Sequence, residues 1–196
     1  MAKQEIQKVD SEVMNQINRR VILQLIRQNH SISRAELVKL TGLAAPTVSR
    51  IVDRLVNVEK LACYGGVGDS NGGRPPVIVK FNAKGRYVLG VDLGATLIRG
   101  VLADLDAEIV MEVQLPTGKE EGYDAIVRNL VSVVNRLLSS QGLNPDSLIG
   151  LGVGVAGLLD KNKEIIMFSP DFGWRNVNFL AELESKISIP IFLENS

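Results

Sequence analysis

The chain has 196 residues and no net charge, with 45% of its residues hydrophobic and 5% aromatic, enough for a packed core in one large domain or two small ones. No apolar run reaches the length needed to cross a bilayer, and the polar start MAKQEIQKVDSEV lacks the pattern of a signal peptide. Cys63 and His30 are the one Cys and the one His, which excludes a disulfide framework and a metal site of the usual Cys/His spacing within these residues.

The zero net charge conceals a division. Residues 1–86 carry 14 Lys and Arg against 7 Asp and Glu, a net of +7, and residues 87–196 carry 8 against 15, a net of −7. A basic half joined to an acidic half is the charge plan of a nucleic-acid-binding module fused to something else. The competing account is chance segregation of solvated surface charge.

In the basic half, apolar residues recur at helical spacing over 12–29: Val13, Ile17, Val21 and Leu25, with Ile22 and Ile26 beside them. His30, just past that helix, is expected to be exposed. SRAE at 33–36 is a Ser-x-x-Glu capping box opening a second helix, which ends at Gly42, a residue suited to the positive φ of a tight turn. A third helix is predicted from Pro46 to about Val58. Pro suits its first turn, although Ala44 and Ala45 are poor caps. Its apolar stripe is Val48, Ile51, Val52 and Leu55, which leaves Thr47, Arg50 and Arg54 on the opposite face and Ser49 to the side.

Helix, glycine turn, then a helix with hydroxyls and arginines outward is a helix-turn-helix, whose second helix enters the major groove. Arg50 can offer a fork to guanine or phosphate, and Thr47 and Ser49 can bond either. Residues 61–81 read as strand, glycine-rich loop, strand: a wing, with Cys63 partly buried in its first strand and Arg74 in GGRPP placed to reach a minor groove or the backbone. The candidate DNA contacts are Ser33, Arg34, Thr47, Ser49, Arg50, Arg54 and Arg74.

The acidic half alternates strands and helices. Strands are predicted at 87–93, 97–104 and 108–115, then a helix at 122–141 with Ile126, Leu130, Val133 and Leu137 buried. A strand at 148–155, a helix at 178–187 and a strand at 189–193 follow. This order resembles one lobe of the ribonuclease H-like fold of sugar kinases and actin, and VDLGATLIRGVLADLDAEIV resembles that superfamily's first phosphate hairpin.

Taken together, the segments ISRAELVKLTGLAAPTVSRIVDRL, GGRPP, GVDLGATLIRGVLADLDAEIV, GLGVGVAGLLD and SPDFGWRNV resemble the ROK family (repressors, open reading frames and kinases) in its transcriptional-regulator branch, which includes xylose and N-acetylglucosamine repressors. The resemblance implies a two-domain α+β chain: a winged helix-turn-helix over 1–86 with its linker, then over 87–196 the first lobe of a ROK sugar-kinase-like domain. It further implies a repressor of carbohydrate genes that responds to a sugar.

A ROK kinase is the alternative, and two departures weigh against it. The family's kinases carry Asp-x-Gly-Gly-Thr-Lys at the hairpin. Here Asp92, Gly94 and Thr96 match, but Ala95 and Leu97 replace the second Gly and the Lys. The hairpin is read as a vestigial phosphate loop. The kinases also end a strand in Glu-Asn-Asp, whose Asp is the general base. Here the chain reads Glu194-Asn195-Ser196, and a Ser hydroxyl of ordinary pKa cannot take that proton. No catalytic residue is expected.

Carried over residue by residue, the family's sugar site falls on Asn195, on Gly157, where Ala156 stands in place of the usual Pro, and on Asp171, where the family often has Asn. The resemblance implies a second lobe beyond these residues, bringing a Cys-rich zinc motif, further sugar ligands and most of the dimer interface. The chain is therefore expected to be a fragment or a shortened regulator with no cofactor of its own. Its expected partners are a double-stranded, palindromic DNA operator bound as a homodimer when full-length, and a sugar or sugar phosphate. No membrane association is expected, and the setting is a reducing bacterial cytoplasm, at the nucleoid.

Overall fold

The structure, a computed structural model, describes residues 2–68, 75–139, 143, 145–162 and 164–196. The chain folds as two compact units, Met1–Gly85 and Arg86–Ser196.

The first unit opens with helix α1 (Ala2–Asn29), followed by β1 (Ile32–Ser33), α2 (Arg34–Thr41) and α3 (Ala45–Asn57). The capping box forms as the sequence predicts. Ser33 Oγ accepts from the Glu36 N–H at 3.1 Å, and the Glu36 carboxylate accepts from the Ser33 N–H at 2.8 Å. Gly42, at φ 68°, ends α2 with its N–H on the Val38 carbonyl. α3 starts without a side-chain cap at Ala44 and with Pro46 in its first turn, where the missing N–H costs nothing. His30 is exposed, and Cys63 is partly buried.

Strands β2 (Ala62–Val67) and β3 (Val77–Phe81) form the wing, and the sheet order is β1-β3-β2. Ile22, Ile26, Leu37, Val48, Val52, Leu55 and Val79 are fully buried between helices and sheet.

Helix α1 differs from the sequence reading. It begins ten residues earlier, and its apolar residues divide between two faces. Ile22 and Ile26 are buried, whereas Val13, Ile17 and Val21 are 42–49% exposed. At 100° per residue, 13, 17 and 21 share a side of the helix that 22 and 26 do not. The core occupies the side bearing Ile22 and Ile26, because that is where α3, β3 and α2 pack.

The second unit is built on a five-stranded sheet of order β11-β7-β4-β5-β6. β4 (Tyr87–Leu93), β5 (Leu97–Asp104) and β6 (Ile109–Pro116) run as an antiparallel meander. After α4 (Tyr123–Ser139), β7 (Leu148–Val155) lies parallel to β4, and after α5 (Phe179–Glu184), β11 (Ile191–Asn195) lies parallel to β7. Ile126, Leu130, Val133 and Leu137 of α4 are buried as predicted. The helix sits close over β5, and a Cβ at Gly100 would come within 2.3 Å of Val133.

The sequence reading missed a small antiparallel sheet, β10-β9-β8, made by β8 (Leu158–Leu159), β9 (Ile166–Ser169) and β10 (Trp174–Val177). Such short strands are too brief for an alternating pattern to register. The last strand also starts two residues later than predicted, just after Pro190, which has no N–H to give a ladder. Among the described residues, no helix is long and apolar enough to cross a membrane.

Candidate nucleic-acid interface

α3 presents the side chains that the sequence assigns to DNA. Val48, Ile51, Val52 and Leu55 face the core, and Thr47, Arg50 and Arg54 fall on the outer side. Thr47 and Ser49 are partly accessible, and Arg50 and Arg54 are exposed. Arg50 donates from Nη2 to Asn15 Oδ1 on α1 at 2.8 Å. Arg54 donates to Glu59 at 2.9 Å, and Arg19 of α1 donates its Nε to the same carboxylate at 2.8 and 2.7 Å. Burial works to raise the Glu59 pKa, but its bonds to Arg19 prevail and hold it below the ordinary value. Two of the outward arginines are thus oriented by α1 and by the end of α3 before anything binds.

Ser33 and Arg34 are placed differently. Ser33 is 4% exposed, with its hydroxyl in the capping box. Arg34 Nη2 donates to Asp53 Oδ1 at 2.5 Å and to the Tyr64 hydroxyl at 2.7 Å, and Tyr64 in turn donates to Asp53 at 2.8 Å. The guanidinium also lies 5.6 Å from the centre of the Tyr64 ring, within cation–π range. The Arg34 hydrogen bond, then that of Tyr64, lowers the Asp53 pKa.

This cluster joins α2, α3 and the wing strand β2. Arg34 therefore ties three elements of the reading head together. Its partners Asp53 and Tyr64 escaped the sequence reading, because they lie 19 and 30 residues from it and no local spacing connects them. An acidic residue in a helix meant for DNA was the one available signal. Arg74 lies outside the described residues.

In the second unit, the carboxyl ends of β4, β7 and β11 come together. Asp92 and Glu194 are both in register with Gly154, and Asn195 is in register with Val155. A Cβ on Gly154 would lie 3.3 Å from Ser196 Cβ and 3.8 Å from Asp92 Oδ1, so the absent side chain leaves a gap between those two residues. Ligands of open α/β sheets bind at such strand ends.

Gly157 is required by packing, since a Cβ there would meet the Phe168 carbonyl at 2.6 Å. Asp171 is exposed in the turn between β9 and β10. The hairpin of Asp92, Gly94 and Thr96 closes on itself. Gly94 donates to the Leu97 carbonyl at 3.1 Å, and buried Thr117 bonds the carbonyls of Gly94 and Thr96 at 2.7 and 2.9 Å. The turn offers the Ala95 methyl and the apolar Leu97 where the family's kinases carry a Gly and a Lys. Among the described residues, no group of three or more His, Cys, Asp or Glu could hold a metal ion.

Residues 88–196, all but the first two residues of the second unit, match the ROK family model. The chain belongs to the ROK family. Residues 16–57, from α1 through α3, match a winged helix-turn-helix DNA-binding family. Similar proteins are the xylose repressors of Bacillus spizizenii, 35% identical over 187 residues, and of Bacillus subtilis, 34% identical over 187 residues. Each alignment covers 95% of this chain and 48% of the relative. This ROK chain thus spans about half the length of the curated relatives it matches. A solved ROK family transcriptional regulator, a homologue of the E. coli MLC protein, superposes with a TM-score of 0.72 at 22% identity, over 93% of this chain and 46% of that one. The shared fold is a winged helix-turn-helix followed by a ROK lobe.

Proposed function

We propose that this chain is a sequence-specific DNA-binding repressor of carbohydrate-utilisation genes whose ROK lobe senses a sugar and catalyses nothing. The observation that carries the reading is the outer face of α3, where Thr47, Arg50 and Arg54 are presented with the arginines already braced by Asn15 and Glu59. The similarity to xylose repressors over both units, in the same order, supports it.

In this reading α3 lies in the major groove. Arg50 reads a base edge, and Arg54 and the wing hold the backbone. The sugar sits at the strand ends, with Asn195, Asp171 and the Gly157 loop around it. Its binding shifts the equilibrium between DNA-competent and released states. A homodimer reads an inverted repeat, one winged module on each half-site. Ser196, standing where a kinase needs a carboxylate, keeps the lobe from phosphorylating what it binds. The setting is the cytoplasm of a bacterium.

The test is selection from a randomised DNA pool at near-physiological salt, followed by sequencing. The expected result is an enriched inverted repeat that a pentose or hexose panel then releases. Binding with no enrichment, fading as salt rises, would leave non-specific attraction alone and end the repressor reading. Hexose-dependent ATP turnover above background would establish the kinase instead.

A further inference from the structure

Asp53 puts a carboxylate on the outer side of α3. At 100° per residue it lies about 150° from the middle of the buried stripe and about 60° from Arg50, so the two flank the most outward line of the helix. The Asp53 side chain is 48% exposed. Both donors that hold it use the same oxygen. Arg34 Nη2 and the Tyr64 hydroxyl each donate to Oδ1, at 2.5 and 2.8 Å. Among the described residues, no donor is bonded to Oδ2.

A clamp that spent the carboxylate on the fold would engage both oxygens, as the fork of an arginine does in a bidentate pair. Here Oδ1 is anchored and Oδ2 is left as a fixed acceptor on the outer face. The Arg34 cation beside it offsets a charge that would otherwise repel phosphates. Arg50 and Arg54 can only donate, whereas the Asp53 carboxylate can only accept.

In the major groove a carboxylate accepts from the N4 amino group of cytosine. Adenine also carries an amino group, but beside the N7 acceptor, which repels a carboxylate. Residues three apart on a helix are about 4.5 Å apart along its axis, close to the roughly 3.4 Å between successive base pairs. We propose that, given the DNA-reading role of α3 on which this rests, Asp53 reads a cytosine through Oδ2, at the base pair next to the one Arg50 reads.

The test is selection from a randomised DNA pool by the full parent chain, by Arg50→Ala and by Asp53→Asn. The amide keeps an oxygen for Arg34 and Tyr64 and replaces the second acceptor with an NH2 donor. Arg50→Ala marks the position that Arg50 reads. At the adjoining position Asp53→Asn is expected to lose cytosine and to select adenine, with which an Asn side chain pairs. The other positions keep the parent's preference. A second measurement leaves the parent protein unaltered. N4-methylcytosine at that position sets a methyl in place of the groove-facing N–H. It should weaken parent binding about fivefold or more and leave Asp53→Ala unaffected. Selection of the parent's sequence by Asp53→Asn, at whatever affinity, would overturn the proposal and leave Asp53 a clamp, with the DNA reading intact. So would a methyl that costs the parent nothing or costs both chains equally. A parent that enriches no sequence would overturn both readings.

Discussion

The two units are held together by different means. In the winged helix-turn-helix, a small apolar core is supplemented by charged side chains that reach between elements: Arg19 and Arg54 to Glu59, Arg34 to Asp53 and Tyr64, and Arg50 to Asn15. The ROK lobe rests on a larger core of sheet and helices. The ion pairs Arg128–Glu121 and Lys186–Glu182 lie exposed on its surface, and Arg86 reaches across to the Asp146 carbonyl. A surface that must meet phosphates has to carry cations, and unbraced cations would sample many rotamers. Bracing them lowers the ordering cost of binding. In the lobe, Asp92, Glu194, Asn195 and Ser196 gather at the strand ends around Gly154.

The largest effect is expected where the units are separated most completely. Leu130 is fully buried in the lobe, so Leu130→Ala should cost about 2–5 kcal/mol there. Fluorescence of Trp174, the chain's one Trp and a core residue of the lobe, should report the loss at a lower denaturant midpoint. DNA binding by the first unit should persist under conditions where the lobe has melted. Simultaneous loss of both signals would show one cooperative fold and end the comparison.

Next in size is Arg50→Ala. A bidentate base contact is worth roughly 1–3 kcal/mol, so affinity for selected DNA should fall about fivefold or more and base preference at one position should relax. Arg54→Ala should act evenly on all sequences and lower the salt slope by about one phosphate. Equal behaviour of the two variants would place the reading face elsewhere on α3.

Legibility in the sequence followed the range of the interactions. The capping box, the Gly42 turn and the buried stripes of α3 and α4 were readable because each is fixed within a turn or two of helix. The ROK lobe was readable through its strand order and its motifs. The Arg34–Asp53–Tyr64 cluster was not, because its members meet only after three elements pack. Nor was the division of α1 into a core face and an exposed face. Val13, Ile17 and Val21 carry the same helical spacing as true core positions, and the choice between faces depends on where α2 and α3 come to rest. For the same reason the partners of Ser33 and Arg34 came into view only in the fold.

A smaller effect tests whether that cluster serves DNA reading. Tyr64→Phe keeps the ring under Arg34 and removes the hydroxyl shared with Asp53. The loss of one such hydrogen bond is expected to cost about 0.5–1.5 kcal/mol. In a positioning role the loss appears in DNA affinity and in the salt slope, with the wing less firmly set. A purely structural role would lower the melting temperature and leave the salt slope unchanged.

The smallest effect is on the pH dependence of stability. In the reading head Glu36 and Asp53 have lowered pKa values, set first by the Ser33 backbone hydrogen bond and by the Arg34 hydrogen bond respectively. Their stabilisation is present above the unfolded values of 4.5 and 3.8 and is lost as pH falls through the lower folded values. Both are largely solvent-accessible, so the loss is modest.

Asp160 of the lobe is lowered in the same way, by its backbone hydrogen bonds, and the tyrosines of both units, Tyr64 and Tyr123, carry the opposite sign. Tyr123 packs edge-on to Trp174 and Phe179, and burial, then the charges of Glu182 and Asp124, push its pKa from 10.0 up to about 12. Its contribution is complete below pH 10 and disappears as pH rises toward about 12. Denaturant midpoints followed at Trp174 should therefore decline across that alkaline window, and Tyr123→Phe should flatten the decline while leaving acid sensitivity in place. An unchanged alkaline slope in that variant would assign the loss to other titrating groups.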